Sequence, residues 1–186
     1  MHYTLCDMIA DLTQNAAEAG AAHISVSVDE TDTSLTVHIR DNGKGMSAET
    51  LKRVTNPFYT DGIKHPKRKV GLGIPFLIQT VAEAGGEWDI SSSEGKGTTV
   101  YAKFDLTNID TPPVGRLPAL FRQILLLPGT FEMTITRTKR GSGIAEADVR
   151  DYTITRSELF DALGDISTAA SLALLGEYLE GLEAEA

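Results

Sequence analysis

The stretch DNGKGM, residues 41–46, follows a run in which apolar and polar residues alternate, LTVHIR at 35–40. Such alternation predicts a strand, and Asn-Gly directly after a strand is a common signal of a hairpin turn. Two glycines around a lysine also suit a loop whose backbone lies close to a ligand. The stretch alone leaves two interpretations open, a hairpin turn or a nucleotide site, and the surrounding sequence must separate them.

The segments on either side predict an α+β fold. Their hydrophobic periodicity switches between the helical repeat and strand alternation, with glycine, proline and polar clusters between the segments. The predicted elements are a helix at 4–19, strands at 23–30 and 34–41, a short helix capped by Ser47, a helix at 73–85, and strands at 87–93 and 98–106. This order predicts a two-layer α/β sandwich, a mixed sheet with helices on one face.

A proline-rich break, DTPPVGRLP, separates this pattern from the rest of the chain and predicts two units, 1–108 and 109–186. The second is a small C-terminal α/β extension with a helix, a hairpin and final helical segments. Its helix PALFRQILLL is expected to pack on the exposed sheet face or to form a homodimer. The hairpin is expected to extend the sheet or to offer an edge to a partner. The acidic end, EYLEGLEAEA, is expected to fray.

Composition narrows the function classes. The 186 residues are 41% hydrophobic and 23% charged, which suits a globular core, and the formal net charge is −9. So acidic a chain disfavours nucleic-acid binding over a broad surface. A single cysteine, Cys6, excludes an internal disulfide, and we expect it to be a small core residue. No signal peptide or membrane-spanning segment is predicted, so a soluble cytoplasmic protein is expected.

Three short motifs are each ambiguous alone but indicate a nucleotide site in combination. Asp11 and Asn15 are four residues apart on the first predicted helix and so share one face, either as surface residues or as a pair aimed at a metal-bound phosphate. VGLGIPF opens a later helix, where glycines and backbone N–H groups suit a phosphate. SSSEGKGTTV alone predicts only a hairpin turn.

In their order and spacing, these motifs resemble the GHKL superfamily, the Bergerat-fold ATPases of histidine kinases, type II topoisomerases, the large heat-shock chaperone and mismatch-repair proteins. The resemblance spans residues 11–99. The matching segments are DLTQN (the N box), DNGKGM (the first glycine box), NPFYT (an aromatic segment), VGLGI (the second glycine box) and EGKGTT (the final turn). It implies this fold and the binding of ATP or ADP with Mg.

The resemblance also implies roles for individual residues. Asn15 would hold the Mg that bridges the phosphates, and Asp41 would accept a hydrogen bond from the adenine amino group. A carboxylate can only accept, so Asp41 would select adenine over guanine. Gly43 and Gly45 would lie beside the base. Gly71 and Gly73 would surround the phosphates, and Thr98 would complete the adenine pocket.

An ATP lid is expected at about residues 55–70, between the two glycine boxes. Its cations stand out in an acidic chain and are expected to meet the phosphates, the alternative being a solvated loop. They are Lys64, Lys67, Arg68 and Lys69.

Asp11 stands where hydrolysing relatives usually place a glutamate as general base. Its side chain is one methylene shorter, and general-base positioning contributes roughly 10²–10⁴ in rate, so slow turnover is expected.

Two branches of the superfamily compete. NPFYT and GLGIPFLIQTVAEAGGEW resemble histidine kinases, whereas NAAEAGA followed by ISVSV resembles mismatch-repair proteins. The N box begins within a dozen residues of Met1, and His2, His23, His38 and His65 do not fall in a dimerisation helix. We therefore expect a stand-alone Mg-ATP-binding domain that acts as a nucleotide-dependent switch or as a kinase on a separate protein, with slow ATPase or kinase activity. The alternative is a non-catalytic ATP- or ADP-binding subunit of a larger complex. A protein partner or a homodimer is expected, without nucleic acid or membrane.

Overall fold

The structure is a computed structural model that describes residues 4–56 and 73–184. Within these ranges the chain forms helices and strands in the order helix, two strands, two helices, two strands, helix, hairpin and two helices. They are α1 (Leu5–Glu18), β1 (His23–Glu30), β2 (Ser34–Asp41), α2 (Ala48–Val54), α3 (Gly73–Glu83), β3 (Glu87–Ser93), β4 (Gly97–Asp105), α4 (Leu117–Leu125), β5 (Glu132–Lys139), a 3-10 turn (Glu146–Asp148), β6 (Arg150–Thr155), α5 (Arg156–Leu163) and α6 (Ala169–Glu183).

The strands form one mixed sheet in the order β3-β4-β2-β1-β5-β6. Among the described strands, β1 and β5 run parallel, and the other neighbours are antiparallel. Alternate strand residues, such as Val26 and Ile39, are buried beneath the helices, while Ser25 and Arg40 on the other face are exposed. The predicted fold class, an α+β sandwich with helices on one face, is confirmed.

Local sequence accounts for the helix starts. Thr4 caps α1 through a capping box, in which the Asp7 N–H donates to the Thr4 hydroxyl (3.1 Å) and the Thr4 N–H donates to the Asp7 carboxylate (3.0 Å). The next orphan N–H groups of α1, those of Leu5 and Cys6, donate to the carbonyls at positions 113 and 114 in the proline-rich break. The break is therefore fastened to the start of α1.

The C-terminal extension continues the sheet. β5 pairs with β1 along its whole length, from the His23–Glu132 pair to the Glu30–Lys139 pair, so residues on both sides of position 108 share one sheet. Of the two outcomes expected for the hairpin, β5 extends the sheet and β6 forms its last strand. The expectation that α4 packs on the open sheet face is wrong: Phe121 and Ile124 are fully buried, and α4 packs beside α1.

The end of α6 is held by a buried charge cluster rather than frayed as expected. Arg137 on β5 is 1% exposed and forms ion pairs with Glu30 on β1 and Glu183 on α6. The Tyr152 hydroxyl donates to the same Glu183 carboxylate, and burial together with this bond raises the pKa of Tyr152. The last turn of α6 is thus tied to the sheet by groups that are 46 and 31 residues away in sequence.

Cys6 is buried, as expected for a small core residue. Burial and the nearby Asp7 carboxylate raise the pKa of its thiol to about 12. No helix in the described part of the chain combines the length and apolar character needed to cross a bilayer.

Candidate functional site

Asp11 and Asn15 lie one turn apart on the same face of α1. Both side chains are half-buried, whereas Leu12 and Ala16 on the adjoining face are buried in the core. The burial of Leu12 and Ala16 fixes the rotation of the helix. It therefore fixes where the carboxylate and the carboxamide project.

The start of α3 approaches this pair closely. Gly73 is buried, and a Cβ built on it would lie 2.5 Å from Oδ2 of Asp11 and 3.2 Å from Nδ2 of Asn15. Only glycine fits there without displacing the Asp11 carboxylate, since real Cβ atoms do not approach oxygen that closely. The structure thus brings three of the predicted site residues together. Backbone at the start of a helix, beside a carboxylate and an amide, suits a phosphate with its cation.

Asp41 ends β2 and is only 7% exposed. Its Oδ1 accepts a hydrogen bond from the Gly43 N–H at 2.8 Å, which fixes the side chain over the following turn. Burial raises the pKa of the Asp41 carboxyl, and hydrogen bonds from the Gly43 and Thr98 N–H groups partly oppose this rise. A buried carboxylate with acceptor capacity remaining can recognise a donor such as an exocyclic amino group.

The loop after Asp41 packs between α1 and the β3–β4 turn. The Lys44 N–H donates to the Ala19 carbonyl (3.0 Å), and the Lys44 carbonyl accepts from the Gly95 N–H (2.8 Å). A Cβ on Gly43 would lie 2.8 Å from the Ala19 oxygen. Gly45 has φ +63°, and a Cβ there would collide with the Ser93 carbonyl. Both glycines of this loop are therefore required by close packing and backbone shape.

Thr98 pairs with Asp41 across β4 and β2 and with Ser92 across β4 and β3. The hydroxyls of Ser92 and Thr98 are 2.9 Å apart. The Ser92 hydroxyl also accepts from the Met46 N–H (2.9 Å) and donates to the Gly97 carbonyl (3.0 Å). Ser92 therefore fastens the end of the glycine loop to the strand that carries Thr98.

Sequence reasoning missed two residues of this site. Ser92 was one of three consecutive serines, and only its strand register, opposite Thr98, distinguishes it. The Asn42 carboxamide oxygen accepts from the N–H groups of Ala22 and His23 (2.8 and 2.9 Å) and so ties the loop to the start of β1. An asparagine directly after a strand signals a turn, and that signal pointed to Asn42 without identifying its partners.

α1 connects the two ends of the site. Asp11, Asn15 and Ala19 follow one another at four-residue spacing, the first two beside Gly73 and the last beside Gly43. Eight residues of helix span roughly 12 Å. The site therefore offers a carboxylate acceptor near one end and glycine backbone with polar side chains at the other, as an elongated ligand with a base and phosphates requires.

The donor atoms near Gly73 suit a hard cation. Carboxylate and amide oxygens are the ligands that Mg²⁺ takes from proteins, usually one or two beside phosphate oxygens and water. Within residues 4–56 and 73–184 no group of three or more His, Cys, Asp or Glu side chains could hold a metal ion.

Several predicted site features lie outside the described residues. They are Lys64, Lys67, Gly71, most of the aromatic segment and most of the predicted lid.

A mixed sheet with helices on one face, and a glycine-bounded site along one helix, form an α+β protein whose site suits a nucleotide. The family model of the "Histidine kinase-, DNA gyrase B-, and HSP90-like ATPase" matches residues 3–108, more than half of the chain. The chain belongs to this family, which confirms the resemblance seen in the sequence. Membership implies ATP binding.

Sensor kinases are among its relatives. The chain is 34% identical over 109 residues to a putative sensor protein of Shewanella frigidimarina (strain NCIMB 400), covering 57% of this chain and 16% of that protein. It is 31% identical over 97 residues to the sensor histidine kinase ZraS of Escherichia coli (strain K12), covering 51% and 20%. The chain thus spans about a fifth or less of the length of these two curated relatives.

Among solved structures, the chain is similar to the Aquifex aeolicus MutL ATPase domain complexed with ADP. The TM-score is 0.44 at 12% sequence identity, over 74% of this chain and 61% of that one.

Proposed function

We propose that the chain binds Mg-ATP between α1, the 42–46 loop and α3, and that it acts as a nucleotide-dependent switch or as a kinase on a separate protein. The observation that carries this proposal is the approach of Gly73 to Asp11 and Asn15, on the same helix that meets Gly43 through Ala19. In the sensor kinase relatives the matched region is only part of a longer protein.

Each residue has a chemical task in this proposal. Asp41 accepts from the adenine amino group, and Thr98 completes the pocket beside it. The Gly73 backbone and Asn15 face the phosphates, and Asn15 would hold magnesium, which supplies charge neutralisation for the phosphate oxygens when bound. Gly71, Lys64 and Lys67 would complete the phosphate end.

Asp11 is the group proposed to orient the attacking water or the acceptor. Its carboxylate lies beside Gly73, and the phosphates would bind on that side. Its reach is one methylene shorter than that of a glutamate, which favours slow turnover. The same shortness supports the second candidate, a non-catalytic ATP- or ADP-binding subunit of a larger complex, because a carboxylate that cannot reach the water leaves binding without hydrolysis.

Titration calorimetry with Mg-ATP tests the binding step. Asp41→Asn is expected to weaken ATP binding roughly 10- to 150-fold, the equivalent of the 1.5–3 kcal/mol of a hydrogen bond to a charged group. Asp89→Asn is the matched control, since it makes the same chemical change at an exposed residue of β3. Equal affinities for both variants and the wild type would contradict the proposed adenine contact.

Single-turnover incubation with γ-labelled Mg-ATP separates the two candidates. If free phosphate or labelled protein forms, and forms more slowly in Asp11→Asn at unchanged ATP affinity, the chain is an enzyme. Tight binding with neither release nor labelling, with and without candidate partner proteins, supports the non-catalytic subunit.

A further inference from the structure

A second cleft, of about 450 Å³, lies in the C-terminal extension, between β6, α5 and α6. Its apolar walls come from all three elements: Ile154 on β6, Leu159 and Leu163 on α5, and Leu174 and Tyr178 on α6. Since none of its lining residues belongs to the proposed nucleotide site, the cleft requires a separate explanation.

The α6 wall is exposed to a degree unusual for large apolar side chains. Leu174 is 55% and Tyr178 45% exposed, although Leu175 and Leu179 on the same helix are 1% exposed. Leu174 and Tyr178 are four residues apart and so form one stripe along α6. An exposed apolar stripe beside a cleft is typical of an interaction site.

The cleft follows the outer edge of the sheet. β6 is the last strand in the sheet order, and among residues 4–56 and 73–184 it pairs only with β5. Three consecutive residues, Thr153, Ile154 and Thr155, line the cleft. Side chains of consecutive strand residues point to opposite faces. Because all three residues line the cleft, the cleft must run along the backbone edge of β6. Backbone groups at such an edge can pair with a further strand.

The charge around the cleft favours a cationic ligand. Residues 157–184 contain six carboxylates and no lysine, arginine or histidine: Glu158, Asp161, Asp165, Glu177, Glu180 and Glu183. Glu180 and Glu183 pair with arginines, whereas Glu158 forms part of the cleft wall. A second copy of this chain, with a net charge of −9, would bring like charges together at this surface. A cationic segment would meet complementary charge.

We propose that the cleft binds a basic, extended segment of a partner protein, which adds to β6 as a seventh strand. Alternate apolar side chains of that segment would pack against Leu174 and Tyr178, and its cations would face the acidic surface of α5 and α6. Neither contact involves the nucleotide, so the inference stands independently of ATP binding.

A defined peptide tests this inference. The probe is a fluorescein-labelled octapeptide in which leucine alternates with lysine, titrated against the full chain and followed by fluorescence anisotropy. Saturable binding is expected to weaken as salt is added, because salt screens the attraction between charges. Leu174→Lys removes an apolar contact and repels the peptide, so it is expected to weaken binding at least tenfold. Ile109→Lys adds the same charge at an apolar residue elsewhere that is 96% exposed, and it is expected to change binding little. Equal binding to both variants, or equal binding of a peptide with glutamate in place of lysine, would overturn the proposal.

Strand addition has its own test. Two further peptides carry methyl groups on alternate backbone nitrogens, one on the odd and one on the even positions, so that each lacks the N–H donors of one edge. One of these two methylated registers is expected to lose binding. In the complex with the unmodified peptide, the β6 amides are expected to gain protection from hydrogen exchange. Retained binding of both registers would overturn strand pairing. Sedimentation provides the last check: a dimer of the chain alone that Leu174→Glu converts to a monomer would show that a second copy occupies the cleft and would overturn the inference.

Discussion

Gly73 and Asp11 lie so close together that a single methyl group on Gly73 would be 2.5 Å from the Asp11 carboxylate oxygen. The two residues are 62 positions apart in sequence, yet they bring the start of α3 against the middle of α1. Because Asn15 lies beside the same point, the contact coincides with the position proposed for the phosphates.

Gly73→Ala tests this contact. The added methyl group must displace the Asp11 carboxylate, which lies beside the proposed phosphate position, and overpacking of this kind costs roughly 1–3 kcal/mol. In the free protein Asp11 can rotate away, so the cost is expected to fall on the complex. The affinity for Mg-ATP should decrease roughly 5- to 150-fold in calorimetry, with little change in the urea unfolding midpoint.

Gly181→Ala is the matched control for Gly73→Ala. A Cβ on Gly181, within α6, meets no atom within 4 Å. It is expected to leave ATP affinity unchanged and to stabilise the helix by roughly 0.5–1 kcal/mol. An equal loss of affinity in both variants would show that the Gly73 contact has no bearing on the nucleotide.

Asp41→Asn should separate stability from binding. Burial raises the pKa of the folded Asp41 carboxyl above its unfolded value, so the folded state resists ionisation. The carboxyl therefore favours folding at low pH, and this contribution is lost as pH rises through the unfolded and then the folded pKa. Asparagine can still accept from the Gly43 N–H. In the absence of nucleotide, Asp41→Asn is expected to raise the urea midpoint at pH 7 relative to wild type. This difference is expected to disappear at pH values below the range in which aspartate ordinarily titrates.

The same residue should control nucleotide choice. A carboxylate only accepts hydrogen bonds, whereas asparagine also donates, so Asp41→Asn is expected to reduce the preference for ATP over GTP. Competition with a fluorescent nucleotide at pH 7 measures this ratio. An unchanged ratio would place the adenine amino group away from Asp41.

Local signals were sufficient for most of the fold. The predicted strands at 23–30, 34–41 and 87–93 agree with β1, β2 and β3, because alternation and flanking turn residues act within a few positions. The position of α4 beside α1 could not be predicted, since its amphipathic pattern indicates that one face is buried but not which element packs against that face. At the site, Asp41 and its glycines stood out in the sequence, whereas Ser92 acquires its contacts only through the register of β3 and β4.

The end of α6 shows why long-range charge pairing escapes sequence reasoning. Its acidic residues alone predict repulsion and fraying, but Glu183 meets Arg137 and Tyr152 from two strands of the sheet. Arg137 continues the alternation of Met133 and Ile135, so its side chain points into the core. The partner that compensates this buried charge becomes visible only when the strands and α6 are assembled.

Arg137→Met is expected to destabilise the fold by roughly 3–5 kcal/mol, because it leaves carboxylates without their buried partner. Arg140→Met is the matched control: the Arg140–Asp151 pair is exposed, with side chains 62% and 64% accessible, and such pairs contribute about 0–1 kcal/mol. Urea unfolding of both variants measures the difference. Similar, small losses for the two would mean that the buried cluster does not hold the end of α6.

Asp11→Glu addresses the proposed chemistry. A glutamate adds one methylene, which lengthens the reach of the carboxylate from α1 toward the position proposed for the phosphates. If Asp11 orients the attacking water, the longer side chain should raise the single-turnover rate of phosphate release, by up to roughly the 10²–10⁴ that general-base positioning contributes. Asp11→Asn should lower the rate, with ATP affinity retained in both variants. Asp89→Glu, the same extension at an exposed residue, controls for effects of the added methylene alone. Equal rates in Asp11→Glu, Asp11→Asn and the wild type would remove Asp11 from the reaction and leave this chain as a nucleotide sensor that does not cleave ATP.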